Sequence, residues 1–93
     1  MIRSFADKDA ERLFFTGVAR RLPSSIWKRA IMRLLQLHVA EVVGHLRNPP
    51  SNRLEALSGD REGQWSIRIN GQWRLCFRFE DGDAFEVEIV DYH

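Results

Sequence analysis

The apolar positions of this chain change period near its middle. From Ala10 to Leu35 they recur every three or four residues, and from Trp65 to Ile89 they alternate. Residues 2–5 have the composition of a short first strand. Asp7-Lys8-Asp9 puts acids where a helix begins, at the positive end of its dipole. Ala10, Leu13 and Phe14 then share a face, and Gly17 is a stop. Pro23-Ser24-Ser25 opens a second helix. Its buried stripe is predicted as Trp27, Ala30, Ile31, Leu34 and Leu35, with Lys28, Arg29, Arg33 and Gln36 on the other side. Residues 39–46 predict a short third helix, and Asn48-Pro49-Pro50-Ser51-Asn52 ends helical structure.

The second half reads as sheet. Residues 53–57 predict a short strand, followed by the turn Gly59-Asp60-Arg61-Glu62-Gly63. Three strands follow, with Trp65, Ile67 and Ile69, then Trp73, Leu75, Phe77 and Phe79, then Phe85, Val87 and Ile89 on the buried side. A two-residue loop at Asn70-Gly71 would oppose Ile67 to Arg74 and mix the faces, so the pattern rejects it. Three-residue loops are expected instead: Ile69-Asn70-Gly71, opposing Ile67 to Trp73, and Glu80-Asp81-Gly82, opposing Phe77 to Phe85. Arg74 then faces Glu88, with Ser66 on its other side. Arg68, Arg74, Arg78, Glu86 and Glu88 share the polar face. The expected architecture is α+β: a short N-terminal strand, two to three helices, then an antiparallel meander packed on them.

At 93 residues the chain predicts a single domain, 1–93. No apolar run approaches the ~20 residues of a membrane span. The N-terminus lacks the apolar core of a secretory signal, so the cytoplasm is the expected location. The single cysteine, Cys76, reads as a small strand residue. The net charge of +1 conceals segregation. Cations dominate residues 12–47, whereas residues 80–91 carry acids and no cation. A basic half suggests a polyanion partner; solvated helix faces give the same pattern.

Chemistry narrows by elimination. His38, His45 and His93 are scattered, and neither a metal-binding helix motif nor a cysteine pair is present. No Gly-rich phosphate loop precedes a helix, and Ser66 lies within a strand rather than on a nucleophile elbow. Metal-free RNA cleavage makes smaller demands. The RNA supplies its own 2′-hydroxyl, and the protein needs a base, an acid and cations for the phosphorane. Arg61, Arg74 and His93 are candidates. The competing readings are an Arg74–Glu88 ion pair and a solvated turn residue at Arg61. The sequence closes on Asp91-Tyr92-His93, a carboxylate, a phenol and an imidazole at the end of a strand. A carboxylate following His93 would favour its protonated ring.

These segments together resemble a family. Asn52-Arg53-Leu54-Glu55-Ala56-Leu57-Ser58-Gly59-Asp60-Arg61-Glu62-Gly63, then Trp65-Ser66-Ile67-Arg68-Ile69-Asn70, Gln72-Trp73-Arg74-Leu75-Cys76-Phe77 and Val87-Glu88-Ile89-Val90-Asp91-Tyr92-His93 are similar to HigB-type toxins of the RelE superfamily. Residues 2–5, Leu13-Phe14 with Gly17, and Asn48-Pro49-Pro50 also fit.

The resemblance implies the toxin of a bacterial type II toxin–antitoxin system, a ribosome-dependent endonuclease that cuts mRNA in the A site without a metal or other cofactor. It implies a helix-turn-helix, HigA-type antitoxin, through which alone the toxin meets operator DNA. Asp91, Tyr92 and His93 would lie in the active site, with Arg61 and Arg74 close to phosphate and Arg53, Arg68 and Arg78 as further RNA contacts. Where some members carry His and Lys before the Gly-Asp-Arg turn, this chain has Glu55 and Ser58. Glu55 is then either a carboxylate base or a surface strand residue, and Arg53 or Arg68 would replace the missing cation. A non-catalytic protein- or RNA-binding module of the same fold is the alternative.

Overall fold

The computed structural model describes residues 1–92, so the expectations resting on His93 lie outside the described residues. Helix α1 (Lys8–Thr16) starts where Asp7 accepts the Ala10 N–H on its side chain at 2.6 Å. It ends at Gly17, whose φ of 78° is the left-handed conformation that closes a helix. Helix α2 spans Ser24–Val39. Short 3-10 turns follow at Val43–Arg47, in place of the third helix expected over 39–46, and at Pro50–Asn52. Strands β1 (Glu55–Ala56), β2 (Trp65–Arg68), β3 (Trp73–Glu80) and β4 (Asp83–Asp91) form one antiparallel sheet in the order β1-β2-β3-β4. Among the described residues, no helix is long and apolar enough to cross a membrane.

Both helices pack on one face of the sheet. Leu13 of α1 and Ala30, Leu34 and Leu37 of α2 are buried with Ile67, Leu75, Phe77 and Val87. The apolar stripe of α2 is rotated from the expected one. Ile26 and Leu37 are buried, whereas Leu35 is half exposed. Arg33, expected on the solvent side, is only 6% exposed. The cause is tertiary: its Nε donates to the Arg68 carbonyl at the end of β2, at 2.9 Å.

Residues 2–5 do not form a full strand. Ile2 and Phe5 make single parallel bridges to Ala84 and Val87. Backbone bonds such as Arg3 N–H to Ala84 C=O, 2.8 Å, still cover the β4 edge.

The expected strand faces largely hold, but the registers differ. Ile67 opposes Leu75, not Trp73. The intervening loop is Asn70-Gly71-Gln72, closed by Ile69 N–H to Trp73 C=O at 2.9 Å. The Asn70 side chain accepts from the backbone N–H of both Gln72 and Trp73 at 2.8 Å, which sets the turn without a left-handed Gly71. The next loop has two residues, Asp81 and Gly82, with φ of 49° and 83°. That primed turn matches the twist of a hairpin. It opposes Phe85 to Arg78, placing Phe85 opposite the side expected. A bulge then restores the pattern, with Glu86 at φ 53°, so Val87 and Ile89 return to the core.

Candidate active site

The outer face of the sheet, away from the helices, carries a connected set of polar side chains. Glu55, Ser66, Cys76 and Glu88 form one row across β1 to β4 as successive backbone partners. Arg74 lies one step along β3. Its direct cross-strand neighbours are Arg68 and Val90, not Glu88 as expected. Two like charges directly opposite repel, and the two arginines turn apart.

Arg74 leans diagonally. Its Nε donates to Ser66 Oγ at 2.9 Å and Nη2 donates to the Arg53 carbonyl at 2.7 Å. The same Nη2 lies 3.7 Å from Glu55 Oε1. The guanidinium also sits 5.9 Å from the centre of the Tyr92 ring, within cation–π range. Arg74 is 9% exposed, so it is not the freely solvated strand residue that alternation predicts. The carbonyl it holds belongs to a residue in left-handed backbone, Arg53 at φ 46°. This bond fixes the loop leading into β1.

Arg61 sits in the Gly59–Arg61 turn and reaches across to β4. Its Nη1 donates to Glu88 Oε1 at 2.5 Å and to Gln64 Oε1 at 3.0 Å. The hydrogen bond to Glu88 is the main reason its guanidinium is held more firmly protonated than usual, with burial opposing. Glu88 therefore belongs to Arg61. Between the two arginines lies Cys76, fully buried. Burial pushes its thiol pKa up, while Arg61 and Arg74 pull it down. A thiol disfavoured as thiolate is a poor nucleophile, which agrees with its reading as a small strand residue.

The remaining candidates are more dispersed. Asp91 ends β4 opposite Trp73 and accepts from Gln72 Nε2 at 3.1 Å. Tyr92 N–H donates to the Gln72 carbonyl at 2.6 Å, and its ring is partly exposed. Arg78 pairs with Glu86 at 3.0 Å, and its guanidinium fills the space where a side chain on Gly63 would go. Arg68 does not converge with Arg61 and Arg74. It lines a groove beside α2 with Arg29 and Arg33. Five of the expected residues, Glu55, Arg61, Arg74, Arg78 and Tyr92, thus share the outer face, and Arg53 joins through its backbone. Gln64 and Gln72 were missed by sequence reasoning. Gln72 follows the Asn70-Gly71 turn signal directly, whereas nothing local marks Gln64. Among the described residues, no three His, Cys, Asp or Glu side chains group as a metal site.

The chemistry open to this face is that of two anchored guanidinium groups with carboxylates beside them. Arg61 and Arg74 can each bind a phosphate oxygen. Glu55 is the carboxylate with more freedom: its side chain is 57% exposed, against 26% for Glu88.

Comparison with known proteins gives a consistent result. A family model described as the RelE-like toxin of type II toxin–antitoxin system HigB matches residues 3–93. The protein named Endoribonuclease HigB from Proteus vulgaris is 40% identical over 93 residues, covering 100% of both chains. Toxin HigB-1 of Vibrio cholerae is 41% identical over 85 residues, 90% of each. Among solved structures, the YoeB–YefM toxin–antitoxin complex from Staphylococcus aureus matches with a TM-score of 0.62 at 16% identity, covering 100% of this chain and 98% of that one. YafQ from E. coli matches with a TM-score of 0.57 at 11% identity, over 98% and 93% of the two chains. The structural likenesses establish the RelE-like α+β fold. The sequence matches span the whole outer-face site, and the chain belongs to the HigB family of RelE-like toxins of type II toxin–antitoxin systems.

Proposed function

We propose that this chain is an endoribonuclease that cuts mRNA held in the ribosomal A site and so arrests translation in the bacterial cytoplasm. The observation that carries this reading is the placing of a half-exposed carboxylate, Glu55, 3.7 Å from an anchored guanidinium, Arg74. A proton acceptor and a phosphate-binding cation are then available at one point.

In the proposed reaction Glu55 takes the proton of the RNA 2′-hydroxyl. The 2′-oxygen attacks the adjacent phosphorus and the bond to the 5′-oxygen breaks. His93 gives its proton to that leaving oxygen. The products are a 2′,3′-cyclic phosphate and a free 5′-hydroxyl. Arg61 and Arg74 stabilise the charge on the phosphorane oxygens, where preorganised donors contribute most. Asp91 and Tyr92 orient the strand end or the RNA. Glu88, held by Arg61, keeps that guanidinium aimed across the sheet. Every group in this scheme comes from the chain or the RNA.

Family membership supports a further partner, the antitoxin. We propose a helix-turn-helix protein of HigA type, which also carries the pair to operator DNA. Cell-free translation with mapping of mRNA 5′ ends tests the enzymatic reading. New ends that appear only on translated messages are expected. Inhibition without new ends would make the protein a non-catalytic binder.

A further inference from the structure

A groove between α2 and the β2–β3 turn lies apart from the outer-face site. It consists of two adjoining hollows of about 460 and 330 Å³, which share Arg29, Met32 and Ile69. Lys28 and Arg29 line it from the helix, with Arg33 and Arg68 in the second hollow. No Asp or Glu lines either hollow. Among the described residues, none of these four cations has a carboxylate partner. Arg3, Arg61, Arg74 and Arg78 have one, while other cations outside the groove, such as Arg20 and Arg47, also lack one among the described residues. What sets the groove apart is that four such cations line two joined hollows.

Arg33 is the telling member. It is buried, and among the described residues its only side-chain hydrogen bond uses Nε. Burial first, and then Arg29, disfavour its charged form. Cations gathered without a counter-ion repel one another, and an anion in the groove relieves that repulsion. The first turn of α2 adds to the positive field, having neither an acidic residue nor a side-chain cap. Three of the four cations are arginines, whose forks match phosphate. Ser25, Gln36, Ser51 and Asn70 supply uncharged hydrogen-bonding groups. The groove also adjoins the outer-face site. Pro49 and Ser51 form one wall, and the chain then runs to Arg53, whose carbonyl Arg74 holds. Arg68 is itself the backbone partner of Arg74.

We infer that this groove is a second phosphate-binding track, taking the backbone of an RNA segment that is not the one cut. The choice of RNA rests on the ribonuclease reading and on the continuity with its site through Arg68 and residues 49–53. The groove gives the protein a grip on RNA that is independent of the reacting nucleotide.

The test is an NMR titration with a 2′-O-methyl oligoribonucleotide, which cannot supply the attacking hydroxyl. Lys28 and Arg29 are exposed, so Lys28→Gln/Arg29→Gln should fold normally. Wild-type protein is expected to show amide shifts in α2 and at Asn70. The double variant should lose these shifts, and its plot of log affinity against log salt should flatten by roughly 0.7 for each phosphate contact removed. Shifts confined to the outer sheet face, or equal affinity and slope in the variant, would overturn the inference. So would unchanged RNA binding with lost antitoxin binding, which assigns the groove to an acidic protein segment. The two proposals fail separately. Groove binding without cleavage on ribosomes leaves this inference standing and removes the nuclease reading. Cleavage with no groove shifts does the reverse.

Discussion

Two carboxylates on the outer face are set apart by their partners. Glu88 accepts a hydrogen bond from Arg61, whereas Glu55 only lies near Arg74 and is more exposed. Replacing Glu55 by Gln keeps the shape and removes the proton acceptor. We expect ribosome-bound mRNA to be cut roughly 100-fold to 10,000-fold more slowly, the span typical of lost general base catalysis. The melting temperature should stay near that of the wild type, since the group is largely solvated. Unaltered cleavage by Glu55→Gln would return Glu55 to the role of a surface strand residue. The proposal gives His93 the complementary part. His93→Gln retains hydrogen bonding and loses titration near neutral pH, so the same assay should show cleavage abolished while antitoxin binding persists. Cleavage at the wild-type rate would make His93 a spectator.

Between elements, Arg74 ties β3 to β2 through Ser66 and to the loop before β1 through the Arg53 carbonyl. Alternation alone suggests that its loss would leave stability untouched. Its burial and bonds predict otherwise. Arg74→Ala leaves a hydroxyl and a carbonyl without their donor, costing about 1–3 kcal/mol each if no water replaces it. For a domain this size each kcal/mol lowers the melting point by roughly 4–8 °C. Cleavage should also fall about 100-fold. A lower melting point with full activity would limit Arg74 to a structural part. The same contrast shows what the sequence made legible. The start and stop of α1 were readable because Asp7 and Gly17 carry them locally. Most of the sheet faces followed from alternation, Phe85 excepted, but the registers did not. Asp81-Gly82 chooses a two-residue primed turn, and the bulge at Glu86 absorbs the offset. A binary pattern cannot show a left-handed glutamate. Arg33 was misplaced because the donor it supplies meets a carbonyl 35 residues away.

On the scale of the whole molecule, the helices bury one face of the sheet and leave the other free for the proposed RNA site. Of the site, the arginine pair, Glu55 and Tyr92 were legible as a set, carried by the family resemblance. Their partners were not, since Arg61 and Glu88 are 27 residues apart and meet only because the bulge sets the register of β4. A chain of 93 residues has few surfaces with which to align a flexible strand, and alignment is a large share of catalysis. The ribosome would supply that alignment, and the outer face the chemistry. The most direct test is the single-turnover cleavage of one short transcript, free or loaded on ribosomes, by wild-type protein and Arg61→Ala. We predict rapid cutting of the loaded transcript, little cutting of the free one, and about a 100-fold slower reaction on ribosomes for the variant. Equal cutting of free and loaded RNA, or an Arg61→Ala rate matching the wild type, would contradict the account.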